Sequence, residues 1–106
     1  MEKTTDKVIY SYNNGEVYTE DKIISLAYIE NETMRFLVTN QGKFVNVKVI
    51  SDAVYGPKVD CCRNVRVSIH RIREKLKGIV RIENKRTFGY RIKGAVKQLD
   101  NKMKGE

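Results

Sequence analysis

The most constraining feature of the chain is an apolar stripe inside a strongly basic segment, residues 64–77. The stripe consists of Val65, Ile69, Ile72 and Leu76. These residues are spaced four, three and four positions apart, which places them on one face of an α-helix. Arginine and lysine fill half of the remaining positions. The pattern predicts a helix over residues 64–77 that buries one face and exposes a basic one, and Gly78 ends it.

A β-hairpin is predicted directly after this helix. Residues 79–83 and 88–92 are strand-like runs, and the polar residues 84–87 join them. The link from Leu76 to Ile79 is short, so it should hold the hairpin close to the helix. The sequence therefore predicts a C-terminal hairpin over residues 79–92 with a basic tip.

The first part of the chain predicts a small antiparallel sheet and then two helices. Asn13-Asn14-Gly15 separates two β-prone runs, and Asn-Gly is a strong signal for a tight hairpin because both residues tolerate positive φ. Residues 22–26 supply a third short strand. Helical spacing runs from Ala27 to the Asn40-Gln41-Gly42 segment, where Gly42 suits a helix end.

Asn46 is a suitable N-cap for the second helix, which Gly56-Pro57 ends, and Phe44-Val45 is predicted to be a short extended link. The predicted inward residues of this helix are Val49, Ile50, Ala53 and Val54. The resulting fold class is α+β: a winged helix-turn-helix with an N-terminal antiparallel sheet, three helices and a C-terminal β-hairpin wing.

A length of 106 residues suits one domain. We expect an N-terminal extension at residues 1–7, the winged-helix domain at residues 8–93 and a polar C-terminal tail at residues 94–106. The first residues lack the apolar core of a signal peptide, and no apolar run is long enough to span a membrane. We therefore expect a cytoplasmic protein that makes no membrane contact.

The two cysteines, Cys61 and Cys62, are adjacent, which predicts reduced thiols rather than a disulfide framework. Zinc is the sharper alternative, but such a site needs four ligands, and the only histidine, His70, brings the thiol and imidazole ligands to three. No metal or other cofactor is expected. With one histidine there is also no Ser-His-Asp or Cys-His catalytic set to support, so the chain is predicted not to be an enzyme.

The net charge of +8 is concentrated in one segment of the chain. Residues 1–62 carry a net charge of −2, residues 63–93 a net charge of +9, and residues 94–106 a net charge of +1. This segregation indicates a surface that binds phosphates. The alternative is a basic face that has no partner.

A set of motifs extends from the first helix to the hairpin. The motifs are Glu30, Asn40-x-Gly42, Ala53-Val54-Tyr55-Gly56, Arg63-x-Val65-x-Val67, Ile69-x-Arg71-Ile72-Arg73-x-Lys75-Leu76 and Arg86-x-x-Gly89-Tyr90-Arg91. On these residues the chain resembles the effector domain of OmpR/PhoB-type response regulators, over about residues 8–93. The resemblance implies a DNA-binding domain whose third helix and wing contact the duplex.

Three features depart from the family pattern. The 106 residues hold no receiver domain, so the resemblance implies a DNA-reading module that stands alone. Thr87 occupies the position of the usual wing glycine, and Arg66 occupies the position of an acid in the recognition helix. Altered DNA contacts are therefore expected.

On a helical wheel, the side of residues 64–77 opposite the apolar stripe is suited to a major groove. Arg71 is predicted to contact guanine, Asn64 adenine, and Val67 a thymine methyl group. The predicted phosphate contacts are Arg63, Arg66, His70, Arg73 and Lys75. Two alternatives stay open: Val67 as a minor core position and His70 as an ordinary surface residue.

At the hairpin tip, Asn84, Lys85, Arg86 and Thr87 are predicted to contact DNA, with Arg86 entering a narrow minor groove. Phe88 and Tyr90 are predicted to pack the hairpin against the helices.

Three functions fit these features. The first is a transcription regulator that binds double-stranded DNA in a sequence-specific manner. The second is an accessory or architectural protein at a plasmid or phage site, such as an origin of transfer or of replication. The third is a winged helix that binds proteins, which the basic segment disfavours. A homodimer is expected because paired half-sites multiply affinity, and further protein partners at the DNA site are possible.

Overall fold

The computed structural model describes residues 8–99, which form six short strands and three helices. In chain order the elements are β1 (Ile9–Ser11), β2 (Glu16–Tyr18), β3 (Ile23–Ser25), α1 (Tyr28–Thr39), α2 (Val47–Tyr55), α3 (Cys62–Lys75), β4 (Arg81–Lys85), β5 (Gly89–Lys93) and β6 (Lys97–Gln98). This order confirms the predicted winged helix-turn-helix. The extension predicted at residues 1–7 and the end of the predicted tail, residues 100–106, lie outside the described residues.

The N-terminal sheet has four strands in the order β3-β2-β1-β6. The strands β1 and β2 pair antiparallel around the predicted Asn13-Asn14-Gly15 turn, and β2 also pairs antiparallel with β3. The fourth strand, β6, pairs parallel with β1 and comes from the segment predicted to be a polar tail. The Gln41 side chain holds this segment. Its amide nitrogen donates to the Val96 C=O and its amide oxygen accepts from the Val96 N–H, both at 2.9 Å. Val96 is buried, so the folded unit extends beyond residue 93.

The helix α2 begins as predicted, because the Asn46 side chain accepts a hydrogen bond from the Lys48 backbone N–H at 2.7 Å. Its inward face differs from the prediction. Ile50 is buried, but Val49 and Ala53 are exposed, and Ser51 takes an inward position where its hydroxyl accepts from the Cys61 N–H. A polar residue whose hydroxyl is hydrogen-bonded is therefore part of the buried face of α2.

The helix α3 starts two residues before the predicted position and ends at Lys75 rather than residue 77. All four residues of the apolar stripe are buried in one core with α1, α2, the wing and the N-terminal sheet. A tight turn follows, in which the Leu76 C=O accepts hydrogen bonds from the N–H groups of Ile79 and Val80. This turn confirms the short link between helix and hairpin.

The wing is a two-stranded ribbon of β4 and β5 with a turn at residues 86–88. Asn84 and Lys85, predicted to lie in the connecting loop, belong to β4 because Asn84 pairs with Tyr90 and Lys85 with Gly89. Val45, predicted to be a plain link, forms a bridge to Tyr90 through two backbone hydrogen bonds of 2.8 and 3.0 Å. The segment that enters α2 is thus attached to the wing.

An ion pair between the buried Glu30 and the more exposed Lys75 connects the start of α1 with the end of α3. The Glu30 carboxylate accepts a hydrogen bond from the Ala27 N–H at 2.9 Å and from the Lys75 ammonium at 2.6 Å. Lys75 also donates to the Ser25 C=O. Burial raises the pKa of Glu30, but the hydrogen bonds from Lys75 and Ala27 outweigh it, so this pKa lies below its usual value of 4.5.

None of the helices described, over residues 8–99, has the length and apolar character needed to cross a membrane.

We predict that Glu30→Gln lowers the free energy of unfolding by about 1–3 kcal/mol near neutral pH, since it removes the charge that Lys75 faces. Because the pKa of Glu30 is depressed in the folded state, its contribution is complete above about pH 4.5 and is lost as the pH falls. Urea denaturation at several pH values measures both effects. Asp52→Asn is the control, because its exposed pair with Lys48 is expected to contribute no more than about 1 kcal/mol. Parallel pH profiles for the wild type and Glu30→Gln would contradict the prediction.

We also predict that Gly89→Ala destabilises the domain by several kcal/mol more than Gly78→Ala. Both glycines have positive φ, +111° and +81°, so both substitutions carry backbone strain of about 1–2 kcal/mol. Only at Gly89 would the new Cβ collide with backbone, 2.0 Å from the Val45 carbonyl oxygen, whereas nothing lies within 4 Å at Gly78. Guanidinium denaturation of both variants gives the comparison. Equal losses would show that the wing can move away from Val45 without cost.

Candidate nucleic-acid interface

The face of α3 that points away from the core carries most of the predicted DNA contacts. All of them are exposed: Arg63, Asn64, Arg66, Val67, His70, Arg71 and Arg73. Val67 has 43% of its surface exposed, which favours a contact position over the alternative of a minor core position. The buried stripe occupies the opposite side, so these seven residues share the solvent side of one rigid helix.

Many cations of this surface have no acidic partner. Within residues 8–99, no ion pair is formed by Arg63, Arg66, Arg71, Arg73, Lys77, Arg81, Lys85 or Arg86. The ion pairs among the described residues engage other cations: Lys48 binds Asp52, Lys75 binds Glu30, and Glu83 binds both Arg91 and Lys93. The hydrogen bond from Arg91 holds the pKa of Glu83 below its usual range. Most of the positive charge along α3 and at the tip of the wing is therefore left without an ion-pair partner among the described residues.

Lys75 differs from the other predicted phosphate contacts. Its ammonium group is engaged by Glu30 and by the Ser25 carbonyl oxygen on the side of the helix that faces α1. The position of Lys75 therefore does not support the phosphate contact predicted for it. The physical reason is its place beside the apolar stripe, where it is close enough to reach a buried carboxylate.

A groove of about 610 Å³ lies between the second half of α3 and the wing. Its basic lining consists of His70, Arg73, Lys77, Arg81 and Lys93. Arg73 and Arg81 also line a second hollow of about 470 Å³ that continues along β4 toward Lys85. Arg81 and Lys77 were not among the predicted contacts, although their place in the segment of +9 net charge was a usable signal.

At the wing tip, Asn84, Lys85, Arg86 and Thr87 are all exposed, as a DNA contact requires. The turn closes with a hydrogen bond from the Phe88 N–H to the Lys85 C=O at 2.9 Å. Thr87 has φ of +71°, and it is the one residue other than glycine with positive φ in the described part of the chain. A β-branched residue in this region is strained, so Thr87 holds a backbone conformation that suits glycine.

The two aromatic residues of the wing behave differently from each other. Tyr90 is buried, as predicted. Phe88, predicted to pack against the helices, is 54% exposed at the tip. The ring of Phe44 meets Phe88 edge to face, with 6.2 Å between the ring centroids. The prediction for Phe88 is wrong because this residue lies in the turn, just before β5 begins, whereas the inward positions of β5 are those of Tyr90 and Ile92.

A family model described as "Transcriptional regulatory protein, C terminal" matches residues 20–92. No curated protein sequence matches the chain. The DNA-binding domain of CssR from Bacillus subtilis is 28% identical, with a TM-score of 0.64 over 73% of this chain and 89% of the other.

Two further solved structures show the same fold at lower identity. The DNA-binding domain of CadC from E. coli has a TM-score of 0.72 and 16% identity, over 83% of this chain and 87% of the other. The Klebsiella pneumoniae RstA DNA-binding domain, solved in complex with the RstA box, has a TM-score of 0.60 and 24% identity, over 72% of this chain and 80% of the other.

Proposed function

The chain belongs to the family of C-terminal domains of transcriptional regulatory proteins, the OmpR/PhoB-type DNA-binding domains, and from this premise we propose that it regulates transcription by binding double-stranded DNA in a sequence-specific manner. The observation that carries the proposal is the uncompensated positive charge on α3 and the wing. Such a surface attracts a polyanion and releases counterions from it on binding. The family is regulatory, and we propose no catalytic activity for this chain.

In this proposal α3 lies in the major groove and reads base edges. Arg71 offers two parallel N–H groups to guanine, Asn64 pairs with adenine, and Val67 touches a thymine methyl group. The exposure of these three side chains on one helix supports the assignment. Arg63, Arg66, His70 and Arg73 bind phosphates and fix the register of the helix.

The groove beside α3 adds to the phosphate contacts. Arg81 and Lys77 line it together with Arg73, and none of them has an acidic partner among the described residues. A DNA strand that leaves the major groove toward the wing would pass over this lining. We therefore include Arg81 and Lys77 in the interface and leave Lys75 out.

The wing contributes the minor-groove contact. Arg86 stands at the tip of the turn, with Lys85, Asn84 and Thr87 beside it. A narrow minor groove has the most negative potential on a duplex, which favours an inserted arginine.

We propose that the protein acts in the cytoplasm and as a homodimer on paired half-sites, because one domain of this size covers a small stretch of DNA. The comparisons give no support to the accessory role at a plasmid or phage site, and the free charge on α3 disfavours a purely protein-binding role. Transcription regulation is therefore the function that the geometry and the family support best.

We predict a steep salt dependence of DNA binding. With about six phosphate contacts per subunit, affinity should fall on the order of a thousandfold between 50 and 200 mM salt. A fluorescence-anisotropy titration on a mixed-sequence duplex of about 30 base pairs measures the slope. A nearly flat titration would contradict DNA binding and favour a protein partner.

We also predict different effects for two arginines of α3. Arg71→Ala should reduce the preference for a duplex selected by the wild type over a random duplex by about tenfold, since it removes a base contact. Arg63→Ala should weaken both duplexes equally, since it removes a phosphate contact. Arg35→Ala is the control, because Arg35 lies on α1 against the Tyr12 ring and should leave both affinities unchanged. If Arg71→Ala weakens the two duplexes equally, α3 does not read bases at this position.

A further inference from the structure

We propose that Phe88 makes an apolar contact with DNA next to Arg86, its ring packing against the deoxyribose edges of the minor groove. The inference rests on the proposed function, and it assigns the wing a second kind of contact that does not depend on charge. Phe88 thereby joins the residues that decide how tightly the wing binds.

The first observation is the exposure of Phe88 in an otherwise charged tip. More than half of this large apolar side chain is in solvent, although Tyr90 and Ile92 of the strand that follows are buried in the core. Transfer of such a surface from water to an apolar contact is favourable. A single exposed apolar side chain is ordinary on a protein, so its position matters more than its exposure.

The second observation is that the ring is supported on two sides. Phe44 contacts it edge to face, and the Lys85 ammonium lies 4.7 Å from its centroid. Phe44 itself is covered by the Arg91 guanidinium at 4.4 Å. The neighbouring residue Val45 is bonded to Tyr90 of the wing, which fixes Phe44 relative to β5. Phe88 is thus held in place at the tip and projects from it.

The third observation is that unpaired cations lie next to Phe88. Lys85 and Arg86 precede Phe88 in the same turn, and neither has an acidic partner in the described part of the chain. The occupant of this tip must therefore offer negative charge and apolar surface within a few ångströms of each other. The minor groove combines a phosphate backbone with apolar sugar edges, and it is also a place where proteins insert Phe or Leu side chains.

An anionic lipid surface shares part of this chemistry. The duplex is favoured because the tip continues into the basic groove of Arg81 and Arg73, which leads to α3. One exposed ring offers only a small apolar area for binding a membrane, whereas α3 and the groove supply the remaining contacts of a DNA interface.

An apolar contact and an ionic contact respond differently to salt, and this difference gives the test. Phe88→Ala should weaken binding to a mixed-sequence duplex of about 30 base pairs by about tenfold, with the slope of log affinity against log salt unchanged. Arg86→Ala should lower the slope by about one. Phe88→Leu should retain most of the affinity, because leucine is also an apolar minor-groove side chain. Tyr28→Ala is the matched control, since Tyr28 is an aromatic residue, 75% exposed, on the first turn of α1.

The outcomes separate the possible failures. If Phe88→Ala binds with the same affinity as the wild type, on a duplex that the wild type binds with a steep salt slope, this inference is overturned and the proposed function stays intact. A wild-type protein that binds no duplex would overturn the proposed function itself. A loss in Phe88→Ala that comes with a lower salt slope would show that Phe88 acts only by positioning Lys85. Binding to phosphatidylglycerol vesicles that depends on Phe88, with DNA affinity unchanged, would assign the ring to a lipid surface instead.

Thermal unfolding of each variant shows whether the protein is still folded. An equal loss of affinity in Phe88→Leu and Phe88→Ala would also count against an apolar contact.

Discussion

Val65, Ile69, Ile72 and Leu76 enter the core from one side of α3, and their burial fixes the rotation of this helix about its own axis. Each such side chain contributes roughly 1.5–3 kcal/mol when it is removed from water, so a helix rotated by even a third of a turn would lose much of this stabilisation. The direction in which the arginines on the opposite side of α3 point is therefore fixed as well. The orientation of the basic face follows from the apolar face, and the shape of the interface follows from both.

The charges of the molecule divide into two groups with different roles. Some are satisfied within the fold, as when Glu30 joins α1 to α3 through Lys75, or when Glu83 holds Arg91 and Lys93 along the wing. Other charged side chains, along α3 and at the tip of the wing, are exposed to solvent and form no ion pair among the described residues. A fold that needed only solubility would interleave its acids and bases. Here one acid, Glu74, lines the groove between α3 and β4 against the basic residues His70, Arg73, Lys77, Arg81 and Lys93, so the groove stays positive.

The sequence predicted those parts of the structure in which periodicity and turn chemistry agree. The apolar spacing in α3, the Asn-Gly turn and the Asn46 cap each have a local physical cause, and each is found in the structure. The strand β6 was not predictable in this way, because its two residues pair with a strand almost ninety positions earlier and depend on the Gln41 side chain. The same is true of Lys75. Its charge suggested a phosphate contact, and only the fold shows that Glu30 lies within reach. Phe88 was misjudged because apolar character predicts burial on average, whereas this residue lies in the turn of the wing, outside the strand positions that are buried in the core.

The bridge between Val45 and Tyr90 has a consequence for the thermodynamics of binding. A hairpin joined to a domain only at its base would lose conformational entropy when a duplex immobilised it, and that loss would weaken the complex. In this chain the loss has already occurred on folding, because Val45 forms a third partial strand beside β5 and the absence of a side chain at Gly89 allows the close approach. The wing is preorganised, and in the proposed complex its contacts would contribute to affinity with little entropic penalty. The segment that leads into α2 is also mechanically continuous with the wing, so a force applied at the tip by a bound duplex is carried by the body of the domain rather than by a hinge.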